Sequence, residues 1–273
     1  MRHLLLIMVA FLLVGCSNSE SQSEEVNEEE IETEGTETER TAQEEPETKE
    51  EPAEPEKTFS YEVHPETFQI IPLDDADPQV ALLTIDDAPD QHAVEMAHIL
   101  NDMDANAIFF VNGMFIQDEA GQNDLKEIYD MGFEIGNHTM THPNLEQIDA
   151  EQTREEIIPV NNLVEEITGE RPQFFRAPFG VNTDASIEVV AEENMTLMNW
   201  TYGYDWEAEY QQPEALADIM VNTEFLSDGA NLLMHDREWT KEALPEIVDG
   251  LRGQGFQLAD PKEISNAAEE MTE

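Results

Sequence analysis

Residues 80–89 read VALLTIDDAP: an apolar run rich in Leu, Val and Ile, broken by two adjacent carboxylates and a proline. Six residues of this kind, bounded by turn formers, read as a buried strand, Val80–Ile85. Charge placed directly after a buried strand is costly unless a cation faces it, so Asp86 and Asp87 call for a partner elsewhere in the chain.

Further β-rich runs follow at Ala107–Val111, Phe133–Gly136, Phe174–Arg176, Met195–Trp200, Asn231–Met234 and Phe256–Leu258. Amphipathic stretches near 92–103, 123–131, 149–168, 184–193, 214–226 and 240–252 separate them. Asp149 with Gln152 has the spacing of a capping box, and Pro213 suits the first turn of a helix. Alternating strands and helices predict an α/β domain with a parallel sheet, open or closed into a barrel. The chemically capable residues follow the strands. Asp86 and Asp87 follow the first, His138 and His142 the third, Arg176 ends the fourth, Asp205 and Trp206 follow the fifth, and His235 follows the sixth. That edge of an α/β sheet is where active sites are built.

His138 and His142 stand four residues apart, a spacing that would turn both imidazoles one way on a helical turn. Two imidazoles with one carboxylate form a common catalytic metal set, which makes Asp87 a candidate ligand and leaves Asp86 free to take a proton. Taken singly, a paired Asp also serves as a turn or cap, and His-x-x-x-His as a solvated helix face. Likewise Arg176 and Asp205 could be a structural ion pair, and Trp200 and Trp206 core.

The ordered segments TIDDAP (84–89), HTMTHP (138–143), FRAPFG (175–180), YDW (204–206) and LLMHD (232–236) resemble the five motifs of the NodB-homology polysaccharide deacetylases, carbohydrate esterase family 4. The resemblance runs from about Val80 to about Leu258. It implies a distorted (β/α)7-type barrel and hydrolysis of acetyl groups on a polysaccharide. It also implies a divalent metal, usually zinc with cobalt as a substitute, on Asp87, His138 and His142. Asp86 would then be the general base and His235 the general acid. Arg176 would orient Asp86, and Asp205 would steady Arg176. A backbone N–H near Phe179 would meet the oxyanion, and Phe179, Trp206 and Trp200 would wall the groove. Two positions depart from the family pattern. Ala88 replaces a usual Gly, which is expected to narrow the pocket or shift its loop, and Phe179 stands where Tyr is frequent.

Upstream, residues 1–16 read MRHLLLIMVAFLLVGC. The apolar core Leu4–Val14 has signal-peptide length, and Leu13-Val14-Gly15-Cys16 resembles a bacterial lipobox, with Cys16 as the first mature, lipid-bearing residue. Residues 17–58 hold 17 Glu and 3 basic residues with almost nothing apolar, the composition of a solvated tether. The expected organisation is therefore signal peptide 1–16, acidic tether 17–58 and catalytic domain 59–273. The expected location is outside the cytoplasm, anchored to the membrane. Peptidoglycan amino sugars are the favoured substrate, with an O-acetyl glycan esterase or a non-catalytic glycan- or metal-binding lipoprotein as alternatives. No protein partner is expected.

Sixty-three acidic against 12 basic residues give a net charge of −51, which excludes nucleic acid as a partner. A single cysteine excludes an intramolecular disulfide framework. Residues 59–273 alone carry 46 acidic and 8 basic residues, so the folded part repels itself unless cations screen it. This suits a salty or alkaline exterior. The thermal midpoint should therefore rise as NaCl is added; a salt-independent midpoint would contradict this reading.

Overall fold

The computed structural model describes residues 59–265; Cys16 and the tether at 17–58 lie outside the described residues. The strand VALLTIDDA forms β3 (Val80–Ala88), with every residue buried except Asp87, which is half-buried. Around it the chain builds β4 (Ile108–Val111), β5 (Glu134–Asn137), β6 (Phe174–Phe175), β7 (Thr196–Leu197), β8 (Tyr202–Gly203), β9 (Ala230–His235) and β10 (Gln257–Leu258). They pair in the order β7-β6-β5-β4-β3-β9-β8, and β10 also pairs with β3. All these pairings are parallel. Six helices connect them: α1 (Ala93–Asp102), α2 (Glu119–Asp130), α3 (Ala150–Thr168), α4 (Asp184–Glu192), α5 (Pro213–Asn222) and α6 (Glu238–Gly253). The Asp149–Gln152 capping box opens α3, and Pro213 occupies the first turn of α5. Among the described residues no helix is long and apolar enough to cross a membrane.

The connection between the two edge strands makes the sheet curl. Were the seven strands flat, β7 and β8 would stand about 29 Å apart at the usual inter-strand spacing. Yet only residues 198–201 join them, which reach about 18 Å at full extension. The result is the curled half-barrel of the (β/α)7 type expected from the motifs. The sequence reading placed one strand at Met195–Trp200; the chain instead makes a two-residue strand, a bend, and the additional strand β8. The bend is set by hydrogen bonding. Where ladder pairing stops, the carbonyls of Met198 and Asn199 accept from Arg176 Nε (3.1 Å) and Nη2 (2.8 Å). Asn231 Nδ2 adds a 3.0 Å bond to Asn199 O.

Side-chain alternation divides the core. Ala81, Leu83 and Ile85 face the helices, whereas Val80 and Leu82 face the interior with Ile108, Phe110, Phe174 and Met198. The stretch before β3 is an antiparallel hairpin, β1 (Tyr61–Val63) with β2 (Ile70–Pro72). Tyr61 and Ile70 join the interior cluster, so the hairpin plugs the barrel. Above the apolar layer, Thr84, Arg176 and Asn231 form a polar layer that is 0% exposed, and Asp86 lies above that.

Arg176 is consequently a structural residue as well as a site residue. Arg176→Ala strips a partner from the buried Met198 carbonyl and from the buried Asp86 carboxylate, and should cost roughly 3–5 kcal/mol. Arg176→Lys should cost less. Denaturant unfolding measures both, and an unchanged midpoint in Arg176→Ala would contradict this role.

Candidate active site

Consecutive residues of a strand point to opposite faces, so two adjacent aspartates reach one site only if the backbone breaks step. It does so at Asp87, which has φ of 63°, a left-handed conformation that Asp tolerates better than most residues. The β3–β4 register slips between Ile85 and Ala88 at the same point. Asp86 stays on the interior face, where its Oδ1 accepts from Arg176 Nη1 at 2.7 Å. Asp87 turns its Oδ1 toward His142 Nε2 (3.5 Å) and His138 Nε2 (3.9 Å). Burial raises the Asp87 pKa, but the charges of His138, His235, His142 and Arg237 outweigh it, and the carboxyl sits below its ordinary range. Ala88, expected to narrow the pocket, instead buries its methyl in the helix-facing core and pairs with Val111. It does not line the cavity.

The segment carrying the two histidines is not the helical turn that their spacing suggested. It is an irregular loop after β5, with Thr139 at φ 71° and His142 at φ 58°. Hydrogen bonds, two buried and one exposed, hold that shape. Asn112 Nδ2 donates to His138 O (2.5 Å), Thr139 N to Asn137 Oδ1 (2.8 Å), and Thr141 N to the Glu156 carboxylate on α3 (2.7 Å). The two imidazoles end 5.0 Å apart, centre to centre. His138 Nδ1 lies 2.7 Å from the carbonyl of Arg176, which can only accept. Nδ1 therefore carries the proton, and Nε2 offers a lone pair toward Asp87. Burial pushes the His138 pKa down, favouring the neutral, ligating form.

Asp87 Oδ1 and one nitrogen each of His138 and His142 all lie within 4.8 Å of one another. One carboxylate oxygen and two imidazole nitrogens suit a divalent ion of zinc's type, and the lowered pKa values of Asp87 and His138 fit it. Asp86 stands outside this cluster, although its Oδ2 is 3.5 Å from His138 Nε2.

Across the cavity, His235 Nδ1 lies 2.7 Å from Asp205 Oδ1. Asp205 Oδ2 accepts from the His235 backbone N–H (2.6 Å) and the Thr240 hydroxyl (2.8 Å). The sequence expectation that Asp205 steadies Arg176 is thus corrected: Asp205 braces His235, because β8 pairs with β9 and brings the two residues to neighbouring strand ends. Burial lowers the His235 pKa, but the hydrogen bond and charge of Asp205, helped by Asp86 and Asp87, raise it more. The net shift is upward.

The cavity has a volume of about 500 Å³. Phe179, 64% exposed, stands edge-on to His142, and Trp206, 45% exposed, stands edge-on to His235 with Trp200 behind it. Every site residue predicted within the described region thus reaches this cavity or the polar layer beneath it. Two others were missed. Asp236, 1% exposed, accepts from the backbone N–H groups of Asp90, Gln91, His92 and Ala93, fixing the loop between Asp87 and α1. Arg237 Nη2 donates to Asp87 Oδ2 at 2.9 Å. Asp236 closes the motif segment LLMHD (232–236), and the only sequence signal for Arg237 was adjacency to it.

Comparison with known proteins points the same way. The profile of the polysaccharide deacetylase family matches residues 74–198. A peptidoglycan-N-acetylglucosamine deacetylase of Bacillus cereus is 27% identical over 183 residues, 64% of this chain and 64% of its own. The peptidoglycan-N-acetylmuramic acid deacetylase PdaC of Bacillus subtilis is 29% identical over 195 residues, 70% of this chain and 39% of its own. This chain therefore spans less than two thirds of either relative. Among solved structures, a carbohydrate esterase 4 pseudoenzyme from Bacillus anthracis aligns with a TM-score of 0.62 at 26% identity, covering 71% of each chain.

If the three donors hold an ion, a hundredfold excess of Zn²⁺ over its dissociation constant should stabilise the protein by about 2.7 kcal/mol. His142→Ala should abolish most of that gain in a thermal melt. An equal zinc response in the variant would place the ion elsewhere.

Proposed function

The chain belongs to the polysaccharide deacetylase family, the NodB-homology or carbohydrate esterase 4 group, and on that premise we propose that it is a metal-dependent hydrolase that removes N-acetyl groups from peptidoglycan amino sugars. One observation carries the reading: Asp87 converges with both imidazoles within 4.8 Å, while Asp86 is hydrogen-bonded to Arg176 through Oδ1 and approaches only His138, at 3.5 Å, through Oδ2.

Zinc held by Asp87, His138 and His142 would supply a Lewis acid for the acetyl carbonyl and would acidify the attacking water. The remaining steps belong to the protein. Asp86 takes the proton of that water, and the hydrogen bond from Arg176 keeps its carboxylate aimed. A backbone N–H near Phe179 would donate to the oxygen as negative charge develops there. His235 delivers a proton to the departing nitrogen from Nε2, since Nδ1–H is committed to Asp205. Water and amide become acetate and amine. Phe179 and Trp206 flank the sugar and give its apolar face aromatic contact.

His235 favours an amide over an ester. An amine must be protonated to leave, and Asp205 keeps the imidazolium populated above its ordinary pKa of 6.5. The B. anthracis neighbour is a pseudoenzyme, so the reading is supported by residues of this chain suited to each proposed role: Asp86 for the base, His235 for the acid, and Asp87, His138 and His142 for the metal. We further propose that the domain works outside the membrane on a lipid anchor at Cys16. That step rests on the lipobox and the acidic segment of the sequence.

Acetate release from N-acetylated peptidoglycan strands should require added metal and stop with a chelator. Asp86→Asn should lower kcat by two to four orders of magnitude, on the order of a general base's contribution. Full activity in that variant would remove the mechanism. The pH profile tests His235. Its acid form is lost as pH rises through its raised pKa, so kcat should fall on the alkaline side. Asp205→Asn should move that fall to lower pH, and an unmoved alkaline limb would refute the pairing.

A further inference from the structure

We infer that Arg237 is a positioning residue that sets which cation the site accepts. By holding one oxygen of Asp87, it leaves that carboxylate a single oxygen to offer, which favours zinc-like ions over cations that want more oxygen ligands. The inference rests on the metal-dependent reading above and goes further, to the choice of ion. It starts from the division of the two Asp87 oxygens. Oδ1 approaches His142 Nε2 (3.5 Å) and His138 Nε2 (3.9 Å). Oδ2 accepts from Arg237 Nη2 at 2.9 Å. The guanidinium is itself fixed, because Nη1 donates to the Asp236 carbonyl at 2.8 Å. Asp236 is buried in turn, and its carboxylate holds the backbone N–H groups of residues 90–93, just beyond Asp87. A planar fork anchored in this way keeps its carboxylate partner in one orientation.

Ligand chemistry turns that division into selectivity. Zinc is satisfied by about four ligands and takes imidazole nitrogen readily. Magnesium, calcium and manganese prefer oxygen ligands in larger number, and calcium often takes both oxygens of one carboxylate. A carboxylate with its second oxygen engaged by a guanidinium gives such an ion less. The positive charge of Arg237 repels every divalent ion alike, so the ratio between ions, rather than affinity itself, reads the withheld oxygen. Selection matters in this chain because residues 59–273 carry 46 acidic and 8 basic residues, and that field concentrates every divalent cation at the surface. Among the described residues that line the cavity, Arg237 is the one permanently charged cation.

The test measures dissociation constants for Zn²⁺ and Mn²⁺ by competition with a chelator, in the full chain and in Arg237→Met, Arg237→Lys and Lys241→Gln. Arg237→Met should shrink the manganese-to-zinc ratio of dissociation constants roughly tenfold or more, the scale on which groups behind metal ligands act. Arg237→Lys keeps a cation but loses the fork, and should shrink the ratio by less. Lys241→Gln removes a cation from the same helix that bonds Glu95 instead of Asp87, and should leave the ratio unchanged. Cobalt gives a second readout. The intense visible bands of a low-coordinate Co²⁺ ion should weaken in Arg237→Met, as Asp87 supplies its second oxygen. An unchanged ratio in both Arg237 variants, or an equal shift in Lys241→Gln, would overturn this inference and leave the deacetylase reading standing. A full chain that binds no zinc, or binds it no better than His142→Ala does, would instead refute the metal-dependent reading.

Discussion

A guanidinium with no solvent contact sits at the centre of this domain, and both architecture and chemistry depend on it. Arg176 lies 4.2 Å over the Phe110 ring and sends its N–H groups to Thr84, Asp86, Met198 and Asn199. A buried cation is costly alone and acceptable only when every donor and the charge are matched. Here the matching groups are carbonyls released where the sheet breaks between β7 and β8, and a carboxylate that ends the central strand. The gap in the barrel and the charge at its mouth thus satisfy one another.

That arrangement explains how two adjacent aspartates acquire different tasks. Asp86 continues the strand's inward alternation and meets Arg176. Asp87 escapes the alternation through a left-handed backbone and meets the histidines. A sequence with both carboxylates but without the arginine would leave Asp86 free to move toward His138, 3.5 Å away, and a single ion would draw both. The same fold accommodates a B. anthracis pseudoenzyme, so function here resides in this particular division of side chains rather than in the barrel.

Much of this was legible in the chain. The strands β3, β4 and β9 are apolar runs long enough to announce themselves, and reactive residues follow the strands at one edge. Less legible was whatever depends on register. β7 and β8 have two residues each, too few to show periodicity, so a single strand was read across the bend. Asp205 was matched to Arg176 because only the β8–β9 pairing reveals that it faces His235. The His138–His142 spacing fits a helical turn, and the left-handed residues that produce a loop instead are selected by hydrogen bonds to Asn112 and Glu156, distant in sequence. Asp236 and Arg237 act on residues some 140 to 150 positions earlier, a relation no local pattern carries.

The central claim is that Arg176 withholds one carboxylate from the metal that the other helps to bind. Anomalous diffraction at the zinc edge, on crystals grown with Zn²⁺, tests it directly. The account predicts one strong peak bonded to Asp87, His138 and His142, with Asp86 still hydrogen-bonded to Arg176 and outside the coordination sphere. A peak bonded to Asp86, or one located away from the paired imidazoles, would contradict it.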